Sequence, residues 1–178
     1  MPLCKRTCER RRMVRYRRNR VPDGTFFFTV TLRDRRSDLL VRHIDLLGAS
    51  WRKARGRIAH QVVAVVVLPD HLHAVITMRD GAGDYSGLWR EIKKGFTRGI
   101  GSAASPWQSR FWEHTIRDAD DLAAHVDYVH ANPLRHGLVS RVAEWPHSSF
   151  HRHVRLGALP QDWGGEVDLP ASAGERDP

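Results

Sequence analysis

The sequence predicts an α+β domain of the ferredoxin-like, split βαβ kind: a four-stranded antiparallel sheet with helices on one face, plus a C-terminal helix. Three observations predict it. Apolar runs rich in β-branched and aromatic residues alternate with segments of helical periodicity in the order β α β β α β α. The second and third strands are separated by a single Pro-Asp step, which reads as a hairpin. The first six elements match the order of the split βαβ motif.

Each element has its own signal. Residues 25–32 (TFFFTVTL) follow a Val-Pro-Asp-Gly turn and read as a buried strand. Leu39, Leu40, Ile44, Leu47 and Trp51 recur at helical spacing, and Asp38 stands where a cap belongs. Residues 60–68 (HQVVAVVVL) do not alternate, which predicts a strand covered on both faces. Residues 71–78 (HLHAVITM) give the third strand, and 80–87 a Gly-rich loop. A helix is expected over 88–100, with Trp89, Ile92 and Phe96 inward and Lys93, Lys94 and Arg98 outward. Residues 110–117 (RFWEHTIR) read as the fourth strand. Asp118 then caps a helix whose core stripe is Leu122, Val126 and Val129, and Asn132-Pro133 is expected to end it.

The organisation expected is a basic arm over 1–20, one domain over 21–156, and a loosely packed tail over 157–178. At 178 residues with 41% hydrophobic content, the domain can bury its own core. Lys and Arg number 29 against 20 Asp and Glu, a formal net charge of +9. Such a surplus points to a polyanionic partner, nucleic acid first, against the plainer reading of a basic protein without one. Cys4 and Cys8, both in the arm, make no disulfide framework and fit a reducing, cytoplasmic setting. No apolar run is long enough to span a bilayer, and the Arg-rich start lacks the apolar stretch of a secretory signal.

Two constellations can carry chemistry. His71 and His73 flank Leu72 on a strand, so their side chains share a face and can reach one metal ion. The spacing fits equally two histidines on a solvated sheet face. Tyr128 and Asn132, four apart, share a helical face. Tyr128 lies roughly 120° from the centre of its helix's apolar stripe, at about 100° per residue. A rim position suits a hydroxyl that meets a substrate, and equally a packed ring with a wet hydroxyl.

The segments LPDHLHAVITM, RFWEHTIRD, DLAAHVDYVHANPLRHGLV and EWPHSSFHRHV, in this order and spacing, resemble the REP-associated tyrosine transposases. These belong to the single-tyrosine HUH transposases of bacterial insertion sequences, U being a hydrophobic residue. The resemblance spans about residues 14–165. Its specificity lies in joining the HUH triplet to Tyr-x-His-x-Asn-Pro and Trp-Pro-x-Ser-Ser. Where the family often has Gly-Gly before its first strand, this chain has Asp23-Gly24, and the linker before the fourth strand is short.

The resemblance implies metal-dependent cleavage and rejoining of single-stranded DNA through a 5′-phosphotyrosine, on hairpin-forming REP-type repeats. Tyr128 would be the nucleophile, and His71 and His73 metal ligands, with Asn132 as a third. Mg²⁺ or Mn²⁺ would suit that donor set. Arg17, Arg18, Lys93, Lys94 and Arg135 are candidate DNA contacts, each also readable as a solvated charge. The chain would work in the cytoplasm, with the nucleoid, as a monomer or homodimer. Rival readings are an inactive nucleic-acid-binding relative, a water-using RNA nuclease and a replication-initiator-type HUH nickase.

Overall fold

The computed structural model describes residue 19 and residues 21–164. Arg17 and Arg18 lie outside the described residues, with the rest of the arm except Asn19 and with the end of the tail. The strands are β1 (Thr25–Thr31), β2 (His60–Val67), β3 (His71–Met78) and β4 (Trp112–Thr115). They form one antiparallel sheet in the order β2-β3-β1-β4, the order of a ferredoxin-like sheet. The helices are α1 (Leu39–Arg42), α2 (Ile44–Arg55), α3 (Tyr85–Gly99), α4 (Ala119–Arg135) and α5 (Phe150–Arg155).

Strand periodicity splits the core in two. Phe26, Phe28, Leu72, Ala74 and Ile76 point to one face, where they pack with Leu47 of α2 and Leu88, Trp89 and Ile92 of α3. Phe27, Ala64, Val66 and Val75 point to the other, where Tyr128 and Val129 of α4 cover them. The Phe26-Phe27-Phe28 run therefore feeds both layers, and all three rings are fully buried. Burial of each such ring contributes on the order of 2–3 kcal/mol.

The expected boundaries need four corrections, each with a local cause. The first predicted helix is two pieces broken at His43, and Asp38 pairs with Arg42 at 2.7 Å instead of capping. α3 starts at Tyr85 because Asp84 accepts a hydrogen bond from the Gly87 amide. A Cβ at Gly87 would collide with that carboxylate. β4 is shorter than 110–117, since its partner on β1 is only Phe26 to Thr29. Finally, Pro133 does not end α4, which runs to Arg135.

α4 stops instead at Gly137, whose φ is +65°. There Leu138 N–H donates to Pro133 O and Gly137 N–H to Leu134 O, the paired bonds of a Schellman cap. Gly137→Ala would force a Cβ into the left-handed region. The expected cost is about 1 kcal/mol, read as a Tm lower by about 2–4 °C.

β2 is an edge strand, yet its outer edge is closed by the segment carrying Trp-Pro-x-Ser-Ser. Ser149 N–H donates to Val65 O (2.8 Å) and Val67 N–H to His147 O (2.9 Å). The Val65 amide donates to Ser149 Oγ, and the Trp145 indole donates to Val67 O. The Val63 carbonyl, at an irregularity in the ladder, takes both Arg152 and His153. Trp163 packs on His130 and Phe150, so this part of the tail is anchored.

His130 is fully buried beneath this strap, 3.0 Å from Ser149 Oγ. Burial, with the nearby charges of His153 and Arg152, pushes its pKa down to about 3. The unfolded chain takes up this proton near pH 6.5 and the folded chain does not. Stability is therefore complete above pH 6.5 and falls as pH drops towards 3. At pH 5 the loss from this group is about 2 kcal/mol. Melting curves at pH 7.5 and pH 5 check it, and His130→Gln should flatten the dependence.

Candidate active site

α4 lies across β2 and β3 on the face opposite α2 and α3, and that placement builds the site. His71 and His73 share this face, with ring centroids 5.0 Å apart, while Leu72 between them enters the other core. Val66 of β2 pairs with His73 on one side and Thr29 of β1 on the other. Both imidazoles are buried.

Each histidine is held through Nδ1. That atom of His71 lies 2.8 Å from Asp70 Oδ1, and that of His73 lies 2.9 Å from Thr29 Oγ1. Fixing Nδ1 makes Nε2 the nitrogen that can face an ion, the usual arrangement behind metal-bound histidines. Asp70 is itself held by Arg35 at 3.1 Å. Burial opposes ionisation of Asp70, but the His71 hydrogen bond and the His71 and Arg35 charges outweigh it and keep the carboxyl below its ordinary value.

The Tyr128 ring stands edge-on to His73 at 5.2 Å and to Phe27 at 5.7 Å. It is only 3% exposed, so it sits within the buried stripe of α4 and not at its rim. The stripe is rotated from the expected one because α4 faces the histidine side of β3. Leu122 and Val126 are only partly buried there. Asn132, one turn on, is fully buried, and neither its amide oxygen nor its nitrogen has a hydrogen-bond partner among the described residues. An unpartnered buried amide costs roughly 1–3 kcal/mol. Asn132 shares the helical face of Tyr128, which stands against His73, and two imidazoles with an amide oxygen are a donor set that fits a divalent cation; such an ion would satisfy that orphaned oxygen.

Because α4 continues past Pro133, it carries two more residues to this face. The Arg135 guanidinium lies 5.3 Å from the Tyr128 ring centroid. The His136 ring is 5.1 Å from that of His71. The structure thus brings together His71, His73, Tyr128, Asn132 and Arg135. Sequence reasoning missed Asp70, Thr29 and His136. The signal for His136 was its spacing, four residues after Asn132.

Lys93 and Lys94 lie elsewhere. They line a groove of about 800 Å³ between α3 and residues 102–111, on the far side of the sheet from Tyr128. Arg33, Arg90 and Arg98 share that groove, with Trp107 beside them. Lys93 Nζ sits 5.8 Å from the Trp107 ring centroid.

A buried tyrosine on a helix packed over a His-x-His strand, in a ferredoxin-like sheet, can be set beside known proteins. No protein-family model matches the chain. It is 47% identical over 164 residues to the REP-associated tyrosine transposase of Escherichia coli (strain K12), covering 92% of this chain and 98% of that one. A protein of Haemophilus influenzae assigned to the same group is 36% identical over 170 residues, covering 88% and 97%. The fold superposes with a TM-score of 0.88 on a solved REP-associated tyrosine transposase bound to a REP hairpin, at 47% identity over 93% of this chain and 99% of that one. The enzyme class these likenesses define is DNA transposase. Within it, the chain belongs to the REP-associated tyrosine transposase family.

Proposed function

We propose that this transposase cleaves and rejoins single-stranded DNA through a 5′-phosphotyrosine at Tyr128, acting on hairpin-forming repeats of the REP type. The observation that carries the reading is the Tyr128 ring 5.2 Å from His73, with the uncommitted Asn132 amide one turn further along α4. The related transposase solved with a REP hairpin supports the choice of substrate.

His71, His73 and Asn132 would hold Mg²⁺ or Mn²⁺. The chemistry such an ion supplies is withdrawal of charge from a phosphate oxygen. Asp70 and Thr29 keep the two imidazoles turned for that task. Phe27 and His73, both edge-on to the Tyr128 ring, would hold it in one orientation. In the step, the Tyr128 Oη–P bond forms and the P–O3′ bond breaks. The tyrosine loses its proton, and the 3′ oxygen takes one up to leave as a hydroxyl. Arg135, whose guanidinium lies over the Tyr128 ring at 5.3 Å from its centroid, would help stabilise negative charge developing on the phenolate. The phosphotyrosine keeps the energy of the broken bond, so a second 3′-OH reverses the attack and joins strands without ATP.

The experiment is a reaction with a 3′-labelled single-stranded oligonucleotide carrying a REP-type hairpin, run on a denaturing gel. Label that migrates with the protein supports the reading. Cleavage without attached label would mean that water is the nucleophile.

The groove beside α3 would take phosphates away from the chemistry, so binding and cleavage should separate. Lys94→Glu with Arg98→Glu should weaken DNA binding about tenfold and lower the salt slope by about one to two. The adduct yield at saturating DNA should be unchanged, as fluorescence anisotropy and gels together will show. Acting on chromosomal DNA, the protein would reside in the cytoplasm with the nucleoid. Among the described residues no helix is long and apolar enough to cross a membrane.

A further inference from the structure

A second group of metal-ligating side chains lies toward the other end of the tyrosine helix. His114 extends from β4, directly across the ladder from Phe27. Asp121 and His125 extend from the first turns of α4. Asp121 Oδ1 is 3.1 Å from His114 Nε2 and 3.0 Å from His125 Nδ1. One ligand atom from each of the three residues can be chosen so that all lie within 4.8 Å of one another. The two imidazole rings are nearly parallel, at 14° with centroids 4.7 Å apart, so their edges address the same carboxylate.

From this geometry we infer that His114, Asp121 and His125 form a second divalent-metal site, separate from His71 and His73 and suited to a first-row transition ion such as Zn²⁺. Two imidazoles and one carboxylate at tetrahedral spacing are a donor set that such ions take. In a tetrahedral site with bonds of about 2.0–2.1 Å, ligand atoms stand roughly 3.3 Å apart. The observed spacings of Asp121 Oδ1 are within a few tenths of an ångström of that. Among the described residues no other group of three His, Cys, Asp or Glu side chains meets this condition.

The surroundings favour an ion over a bare hydrogen-bonded cluster. Asp121 Oδ2 accepts the Arg117 backbone N–H at 3.0 Å and lies 2.9 Å from His114 Nε2, while Oδ1 is the oxygen within reach of both imidazoles. The Arg117 side chain competes for Oδ2 at 3.3 Å, but it is 73% exposed and can swing away. Asp121 is held ionised, its pKa down to about 2: burial opposes this, and hydrogen bonds from His114 and Arg117 outweigh it. Burial, chiefly, lowers the His125 pKa, which favours the uncharged ring that metal binding requires. His125 Nδ1–H also donates to the Asp121 carbonyl oxygen at 2.8 Å, so an ion bound at Nδ1 would displace that proton. His114 is the most exposed of the three, at 27% for its side chain, and gives an ion its entry and room for water.

Occupancy would tie the start of α4 to β4. His125 packs on Phe27 at 4.9 Å, and Phe27 packs on Tyr128, so the tie reaches the nucleophile through one ring. The site would thereby set how firmly Tyr128 is held, without touching DNA.

The test is a Zn²⁺ titration by calorimetry on full-length protein stripped with chelator. His71→Ala with His73→Ala removes the first site and provides the background. In that background one equivalent of Zn²⁺ should bind, and Tm should rise on the order of 5 °C at a hundredfold excess over Kd. Co²⁺ in its place should give the visible absorption of a nitrogen- and oxygen-ligated ion. Adding His114→Ala should abolish both. If that variant does not fold, Asp121→Asn, which keeps the shape and removes the charge, reads the same loss. No binding in the background variant, or binding that survives loss of His114 or of the Asp121 charge, overturns the second site. A double variant that binds as much Zn²⁺ as the native protein bears instead on the His71 pair, so the two readings fail separately.

Discussion

Tyr128→Phe should abolish the covalent protein–DNA adduct while leaving the fold and DNA binding in place. The ring is almost fully buried between Phe27 and His73, and phenylalanine retains every one of those packing contacts. The hydroxyl is all that is removed. Where an attacking oxygen is lost, the rate falls by a factor on the order of 10⁴ or more. Tm should move by only a few degrees, because a single hydrogen bond contributes about 1 kcal/mol. A denaturing gel with 3′-labelled DNA reads the chemistry and anisotropy reads the binding. Adduct formed by the variant at the native rate would remove Tyr128 as the nucleophile.

The second large effect belongs to the histidine pair. His73→Ala, or chelation by EDTA, should stop cleavage and leave most DNA binding. His73 joins three parts of the site: Thr29 through Nδ1, His71 on its own strand, and Tyr128 on the helix packed over it. Its loss would remove a ligand and one wall of the tyrosine slot, so the fall should be at least about a thousandfold. Thr29→Val tests the support behind it, because it removes the hydroxyl and keeps the branched shape. A ten- to hundredfold loss, partly recovered at higher Mn²⁺, is the expected size for such outer partners. Undiminished cleavage in EDTA would overturn the metal reading.

How much of this was legible in the sequence depends on where each partner sits. His71 and His73 share a face because strand geometry makes residues two apart do so, and no tertiary information is needed. The same holds for the split of the Phe26-Phe27-Phe28 run between two cores. The end of α4 was misread because Pro133 looks like a stop signal. A proline near a helix end forfeits one hydrogen bond, and two further residues can still follow before Gly137 supplies the left-handed cap. That difference matters, since it carries Arg135 and His136 to the site. A stripe centred on Leu122, Val126 and Val129 puts Tyr128 at the rim, because the sequence does not say which side of the helix is covered. Which side of α4 is inward is decided by the β3 face it covers. The His114, Asp121 and His125 group is illegible in the sequence because its members sit on two elements, β4 and α4, and meet only through the way one is placed against the other.

The closed edge of β2 has a consequence for how copies of the chain can meet. A sheet grows by adding a strand to unpaired amides and carbonyls at its margin. Along β2 the Val62, Val63, Val65 and Val67 backbone groups are already taken by Trp145, His147, Ser149, Arg152 and His153. A second molecule cannot extend the sheet there without first peeling the strap away. Among the described residues, pairing of two copies is therefore left to side-chain surfaces or to the short β4 margin, and the same strap protects the valine-rich β2 from templating aggregation.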